Sequence, residues 1–187
     1  MQAVQQINAG NAASVELTVA GELARGSEES YWNMCKRLID KDPRCIHVVH
    51  RYIEDGEIPD LLACHHAVLL PYTVFASESG IAALALTNGR PILATRAGGL
   101  GELLAQAGCG ITIESAVVSA VATAIESALQ AGIQGLAAMG AQGARFIERE
   151  RDWHGIGRRT AQIYVSLCPD LALLADNDGM ARRQIAG

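Results

Sequence analysis

Two stretches decide the fold: Ala67-Val68-Leu69-Leu70-Pro71, and Gly80-Ile81-Ala82-Ala83-Leu84-Ala85-Leu86-Thr87-Asn88-Gly89-Arg90-Pro91-Ile92-Leu93-Ala94-Thr95. Ala67 to Leu70 is a continuous apolar run stopped by Pro71, the pattern of a strand buried on both faces of a parallel sheet. Gly80 to Thr87 is rich in small apolar residues and is closed by Asn88-Gly89, which predicts a helix with a glycine stop. Pro91 to Thr95 makes the next short strand, and Gly98-Gly99-Leu100-Gly101 leads into a helix beginning near Glu102. Strands alternating with helices in this way pair in parallel through right-handed crossovers.

The same rhythm continues on either side. Upstream, Val15 to Ala20 alternates and stops at Gly21, and Tyr31, Cys35, Leu38 and Ile39 recur at helical spacing. Asp42-Pro43 ends that helix, Cys45 to His50 reads as a strand, and Glu54-Asp55-Gly56 is a turn before a short helix over Ile58 to Ala63. Downstream, Cys109 to Ile113 is the last strand candidate. Beyond Ser115 the pattern turns helical, with Val117, Val121, Ala124, Ile125 and Ala128 on one face. Gly132, Gly135, Gly140 and Gly143 predict a weakened region between helices, and helical character resumes from Arg145 to Tyr164. The expected architecture is α/β: a Rossmann-like parallel sheet flanked by helices.

Composition agrees and narrows the partners. The 187 residues are 50% hydrophobic and only 4% aromatic, which suits a sheet covered by closely packed helices. Fifteen basic against twenty acidic residues leave a formal charge of −5. No basic run is interleaved with aromatics, so nucleic acid is not expected as a partner. An anionic small ligand remains compatible, because a helix N-terminus binds phosphate within an acidic protein. The five cysteines are scattered without a C-x-x-C pair, which signals neither a disulfide framework nor a zinc site and places the chain in a reducing, cytoplasmic setting. No apolar run of about eighteen residues occurs, so no transmembrane segment is expected.

In a parallel sheet, ligands bind outside the carboxyl ends of the strands, which singles out the loops Gly21 to Gly26, Arg51 to Gly56, Pro71 to Gly80 and Arg96 to Gly101. In the third, Ser77-Glu78-Ser79-Gly80-Ile81 stands where loop becomes helix, so free N–H groups and the helix dipole face the crevice. A serine cap with an acid in the first turn accounts for the same residues without a ligand. Cys64-His65-His66, with His47 and His50, offers metal-binding side chains, but their adjacency lacks the i, i+3 or i, i+4 spacing that helix ligands need, and no metal is expected. The glycines from Gly98 to Gly101 do not follow G-x-G-x-x-G, so an NAD site is disfavoured.

The order Leu69-Leu70-Pro71-Tyr72, Ser79-Gly80-Ile81, Gly89-Arg90-Pro91 and Gly98-Gly99-Leu100-Gly101-Glu102 resembles the donor-site core of the GT-B glycosyltransferases of family 4, the group 1 type. Leu17 to Glu22 is similar to that family's strand and glycine turn, and the helices around Ala120 to Leu129 and Phe146 to Tyr164 are similar to its C-terminal helices. The resemblance covers roughly residues 15–167 and implies a C-terminal domain that binds a nucleotide-activated sugar for retaining glycosyl transfer. It divides the chain into an N-terminal remnant or helix over 1–14, a nucleotide-sugar-binding domain over 15–167 and a tail over 168–187. The donor-binding residues it implies are Gly21, then Arg51, Tyr52 and Ile53 near the base, and Ser79, Gly80 and Ile81 at the diphosphate. No cofactor is implied beyond the nucleotide-diphosphate sugar itself.

Two departures from the family pattern stand out. Its paired acids, Glu-x7-Glu, fall on Ala76 and Leu84, and Glu78 is the acid nearest the first place, which makes it the candidate catalytic residue. The family's opening strand, with its Gly-Arg and Lys-Gly cations, has no counterpart here, because the match begins after it. The expectation is therefore an incomplete donor half, inactive alone, whose acceptor-binding domain comes from elsewhere. The alternative is a non-catalytic subunit or partner-pairing α/β module, and an exposed sheet edge would then favour a homodimer.

Overall fold

The computed structural model describes residues 1–10, 15–22, 29–41, 43–74 and 76–168. Parts of the expected Gly21 to Gly26 loop, of the N-terminal segment and nearly all of the 168–187 tail lie outside the described residues. The chain divides into two compact units, Met1–Ala144 and Arg145–Gly187.

The first unit alternates as expected. It runs α1 (Gln2–Gly10), β1 (Leu17–Ala20), α2 (Glu29–Lys41), β2 (Ile46–Val49), a 3-10 turn (Asp55–Glu57), α3 (Ile58–Ala63), β3 (Val68–Leu70), α4 (Gly80–Thr87), β4 (Ile92–Thr95), α5 (Leu100–Ala107) and β5 (Gly110–Ile113), followed by α6 (Val118–Glu150) through Ala144. Helix α5 begins two residues before the expected Glu102, because the Gly99 carbonyl already accepts the Leu103 N–H at 3.0 Å.

Among the described residues all pairing is parallel, but it forms two ladders. Leu17 to Ala20 pair with Ile46 to Val49, while Val68 to Leu70 pair with Ile92 to Ala94, which in turn lie beside Gly110 to Thr112. The strand orders are β1-β2 and β3-β4-β5. Among the described strands, β4 is the one buried along its whole length, with a strand on each side. Strand β3, expected to be buried on both faces, keeps only Leu70 buried. It is an edge strand, and an edge leaves its side chains half covered.

One face of the strands carries a core of Ala3, Val4 and Ile7 from α1, and Val121, Ile125 and Leu136 among others from α6, against Leu93 and Ile113. Leu17, Ala67, Leu69 and Ile111 pack on the same cluster. Strand alternation sends Ile92 and Ala94 to the other face, where α4 supplies Ala82, Ala85 and Leu86, and α5 supplies Leu100 and Leu104. Each large aliphatic chain so buried contributes about 1.5–3 kcal/mol.

The glycines of α6 do not break it as expected. Gly132 alone leaves helical geometry, at φ 65° and ψ −179°, and kinks the helix. Gly140 stays helical where α6 meets the turn before β4: a Cβ there would stand 2.0 Å from the Gly89 carbonyl oxygen. In the second unit, Asp152 caps α7 (Trp153–Leu167) by accepting from the Gly155 N–H at 2.7 Å, and Arg149 lies over the Phe146 ring. Among the described residues, no helix is long and apolar enough to cross a membrane.

Candidate functional site

The expected ligand residues fall into two clusters, one at the carboxyl end of each ladder. At the end of β3, Ser79 takes an extended conformation (φ −84°, ψ 115°), and its buried hydroxyl accepts the Ala82 N–H at 3.2 Å. Its carbonyl accepts the Ala83 N–H at 3.1 Å. The N–H groups of Gly80 and Ile81 are thereby left at the helix mouth, where the dipole is positive. Nothing lies within 4 Å of a Cβ built on Gly80, and Ile81 is 50% exposed, so the mouth is open to solvent.

This mouth is held by the neighbouring loop. Thr95, buried at the end of β4, donates its hydroxyl to the Tyr72 carbonyl at 2.7 Å, and the Tyr72 hydroxyl stands 3.4 Å from Ser79 Oγ. The Gly99 N–H donates to the Ser77 carbonyl at 3.4 Å. A side chain on Gly99 would crowd Glu78, whose Cγ would lie 3.2 Å from the new Cβ. Glycine at 99 thus lets the starts of α4 and α5 converge, with Glu78 between them. Two helix N-termini side by side present two sets of uncapped N–H groups to one crevice.

The second cluster sits on the other ladder. The N–H groups of Gly21 and Arg51 both donate to the Val49 carbonyl, at 3.0 and 3.1 Å, which joins the ends of β1 and β2. The Arg51 guanidinium does not reach outward as a free cation. It grips Glu57 with both arms, at 2.8 and 2.6 Å, and donates to the Tyr52 carbonyl at 2.9 Å. Those bonds, with one from the Glu54 N–H, hold the Glu57 carboxyl down at about 2. The loop is therefore braced from within, while Tyr52 is exposed and Ile53 half-buried. The rings of Trp32 and His50, with centroids 4.6 Å apart and planes tilted by 34°, lie beside the same end.

Sequence reasoning passed over Arg96. It directly follows β4 beside the Gly98–Gly99 turn, with 69% of its side chain exposed and the Glu114 carboxylate 3.9 Å away. The signal for it was its place, one residue past a strand end on a ligand-facing loop. His65, by contrast, is engaged on both ring nitrogens: Nδ1 donates to the Leu61 carbonyl at 2.6 Å, and Nε2 shares a hydrogen bond with the Thr18 hydroxyl at 2.7 Å. Among the described residues, no three of His, Cys, Asp and Glu gather as metal ligands would.

Structural comparison places this geometry among known folds. The chain is similar to the Anabaena protein HepE in its complex with UDP-glucose, with a TM-score of 0.72 and 19% identity over 88% of this chain and 44% of that one. It is similar to a glycosyltransferase from Rickettsia africae, with a TM-score of 0.72 and 16% identity over 88% and 42%. Sucrose-phosphate synthase from Thermosynechococcus elongatus matches with a TM-score of 0.69 and 18% identity over 81% and 38%. The chain thus spans about two fifths of the length of these proteins, and at such identity the likeness concerns the fold. No curated protein matches the sequence. The model of the family described as glycosyl transferases group 1 matches residues 1–131. With most of its length matched by that model, and with a parallel α/β fold shared with GT-B glycosyltransferases, the chain belongs to the group 1 glycosyltransferases.

Proposed function

We propose that this chain is the donor half of a retaining glycosyltransferase and binds a nucleotide-diphosphate sugar across the carboxyl ends of its strands. The observation that carries the reading is the paired mouth of α4 and α5. The uncapped N–H groups of Gly80 and Ile81, fixed by the Ser77–Gly99 bond, meet an anion with fixed positive dipoles. In glycosyl transfer the nucleoside diphosphate leaves as negative charge develops on it, and donors aimed at that charge lower the barrier. Arg96 adds an exposed cation beside the mouth, and Glu78, beside Gly99 at the start of α5, would contact the sugar hydroxyls. Gly21, Arg51, Tyr52 and Ile53 form the slot for the base. The residues described here span about two fifths of the length of the structures they resemble, and by themselves they would bind donor without turning it over.

Calorimetric titration with UDP, GDP and ADP tests the binding. One of the three is expected to give saturable heat, and Glu78→Gln is expected to weaken the matching sugar nucleotide several-fold while leaving the free diphosphate unchanged. Silence from all three nucleotides at millimolar concentration would end the donor-site reading.

A further inference from the structure

Among the described residues, the polar side chains that are buried are those of Ser79 and Thr95, at 7% and 5% exposure, in a core that is otherwise apolar. A hydroxyl removed from water needs a partner, because burying it unsatisfied is costly. The partners of these two lie on one path. Thr95 Oγ1 donates to the Tyr72 carbonyl at 2.7 Å, the Tyr72 hydroxyl stands 3.4 Å from Ser79 Oγ, and Ser79 Oγ accepts the Ala82 N–H at 3.2 Å in the first turn of α4. The path runs from the end of β4, across the segment that follows β3, to the helix mouth. A valine at 95 would fill the same space with no polar group to satisfy, so packing alone does not call for a hydroxyl there.

The two ends of this path are held differently. Thr95 belongs to β4, which is buried along its whole length and pairs with β5, Thr95 lying opposite Ile113. On the other side, backbone pairing of β3 with β4 ends at Leu70 opposite Ala94. One residue past Pro71 the Tyr72 N–H turns back to the Leu70 carbonyl at 3.0 Å instead of bridging to β4. The Thr95 side chain supplies the link that the backbone gives up at that point. A segment that has left its ladder is thereby hung from a rigid, buried strand, and side chains set by rigid elements keep a site in register. The residue after Thr95 is Arg96, exposed beside the mouth, so the same bond ties the backbone of that cation to the segment that leads into α4.

We propose that Thr95 is a positioning residue: through Tyr72 its hydroxyl fixes the Ser79 cap, and with it the Gly80 and Ile81 amides, in the geometry that receives the diphosphate of the donor. Thr95 itself does not touch the ligand. What the mouth receives rests on the proposed donor function, whereas the hold of Thr95 on the mouth rests on the bonds alone. Without the hydroxyl, the carbonyl of the half-buried Tyr72 takes water as its partner, and the segment moves outward to meet it. A drifting cap must be ordered again when an anion binds, so affinity falls while the apolar core keeps the fold.

Thr95→Val, Thr95→Ser and Tyr72→Phe test this in the whole chain, each by calorimetry with UDP, GDP and ADP and by residue-resolved amide exchange without ligand. Thr95→Val is expected to weaken the nucleotide that the native chain binds by about tenfold, the effect of one lost hydrogen bond. It is also expected to speed exchange at Ala82 and Ala83, the amides that Ser79 holds, while Val121 at the start of α6 keeps its rate. Thr95→Ser retains a hydroxyl and is expected to restore both measurements to near their native values. Tyr72→Phe keeps the carbonyl bond and removes the hydroxyl beside Ser79, so the same pattern is expected at smaller amplitude. Should the valine chain fail to fold, native affinity and native Ala82 exchange in the phenylalanine chain overturn the proposal. Equal acceleration at Ala82 and Val121 in Thr95→Val overturns it too, as does a serine chain no better than the valine one, for either result reduces Thr95 to a stability residue. A native chain silent to every nucleotide, with Ala82 and Ala83 alone responding to Thr95→Val, removes the donor reading and leaves the hold of Thr95 standing. Nucleotide binding that Thr95→Val leaves untouched does the opposite.

Discussion

At Arg51, a single side chain shows how far local chemistry can be redirected by a fold. Its fork is closed on Glu57, six residues on, and both side chains are about half exposed, at 54% and 43%. The Arg51 bonds and the Glu54 N–H lower the Glu57 carboxyl from an ordinary 4.5 to about 2. A carboxyl with a depressed folded-state value stabilises above its unfolded value and loses that contribution as pH falls through the folded one. The brace should therefore be complete above about pH 5 and vanish progressively towards pH 2, and solvent screening keeps its magnitude modest. Urea midpoints followed from neutral to acid pH are expected to fall more steeply in the native chain than in Glu57→Gln, and superimposable profiles would mean that the pair contributes nothing. The position of Arg51 on a ligand-facing loop was legible in the sequence, as was the Ser79 cap ahead of a small-residue helix. The Arg51 partner was not legible, because Glu57 comes within reach only when Asp55 to Glu57 winds into a 3-10 turn. Arg96 carried no local pattern beyond its place after a strand.

Helix α6 makes the corresponding point for elements. Four glycines in a dozen residues read as a weakened link, since glycine lacks the conformational restriction that favours a helix. Only Gly132 behaves so. At Gly140 the missing Cβ is a packing device, for a methyl group would meet the Gly89 backbone oxygen at 2.0 Å and Pro91 Cδ at 3.2 Å. Periodicity cannot distinguish the two uses, because the distinction lies in a contact some fifty residues away. The signs of two substitutions separate them. Gly140→Ala should destabilise by about 1–3 kcal/mol, since backbone yields less readily than a side chain. Gly157→Ala in α7, where nothing lies within 4 Å, should stabilise by about 0.5–1 kcal/mol through helix propensity. Chemical denaturation of the two variants measures both, and a stabilised Gly140→Ala would show that α6 does not approach the Gly89 turn so closely.

Across the whole molecule, the alternation of strands and helices was readable because each buried run is bounded by its own stop signals, such as Pro71 and Asn88-Gly89. The split into two ladders was not. Apolar patterning identifies a strand, whereas its neighbour is chosen by three-dimensional order, and the edges of β1 and β3 look like any others in the sequence. Thiol chemistry reports on that order without perturbing it. Of the five cysteines, Cys35 and Cys109 are buried, Cys45 is partly covered, and Cys64 and Cys168 are exposed. Burial raises the Cys109 thiol to about 11, which removes its thiolate at neutral pH and adds a chemical barrier to the steric one. An aromatic disulfide reagent should therefore modify Cys64 and Cys168 rapidly, with Cys35 and Cys109 following only as the chain unfolds. Cys64 belongs to the first unit and Cys168 to the second, so the two fast thiols report on the two units separately. Modification of Cys35 or Cys109 at the rate of Cys64, under conditions where the chain stays folded, would show that the packing around them is looser than their burial implies.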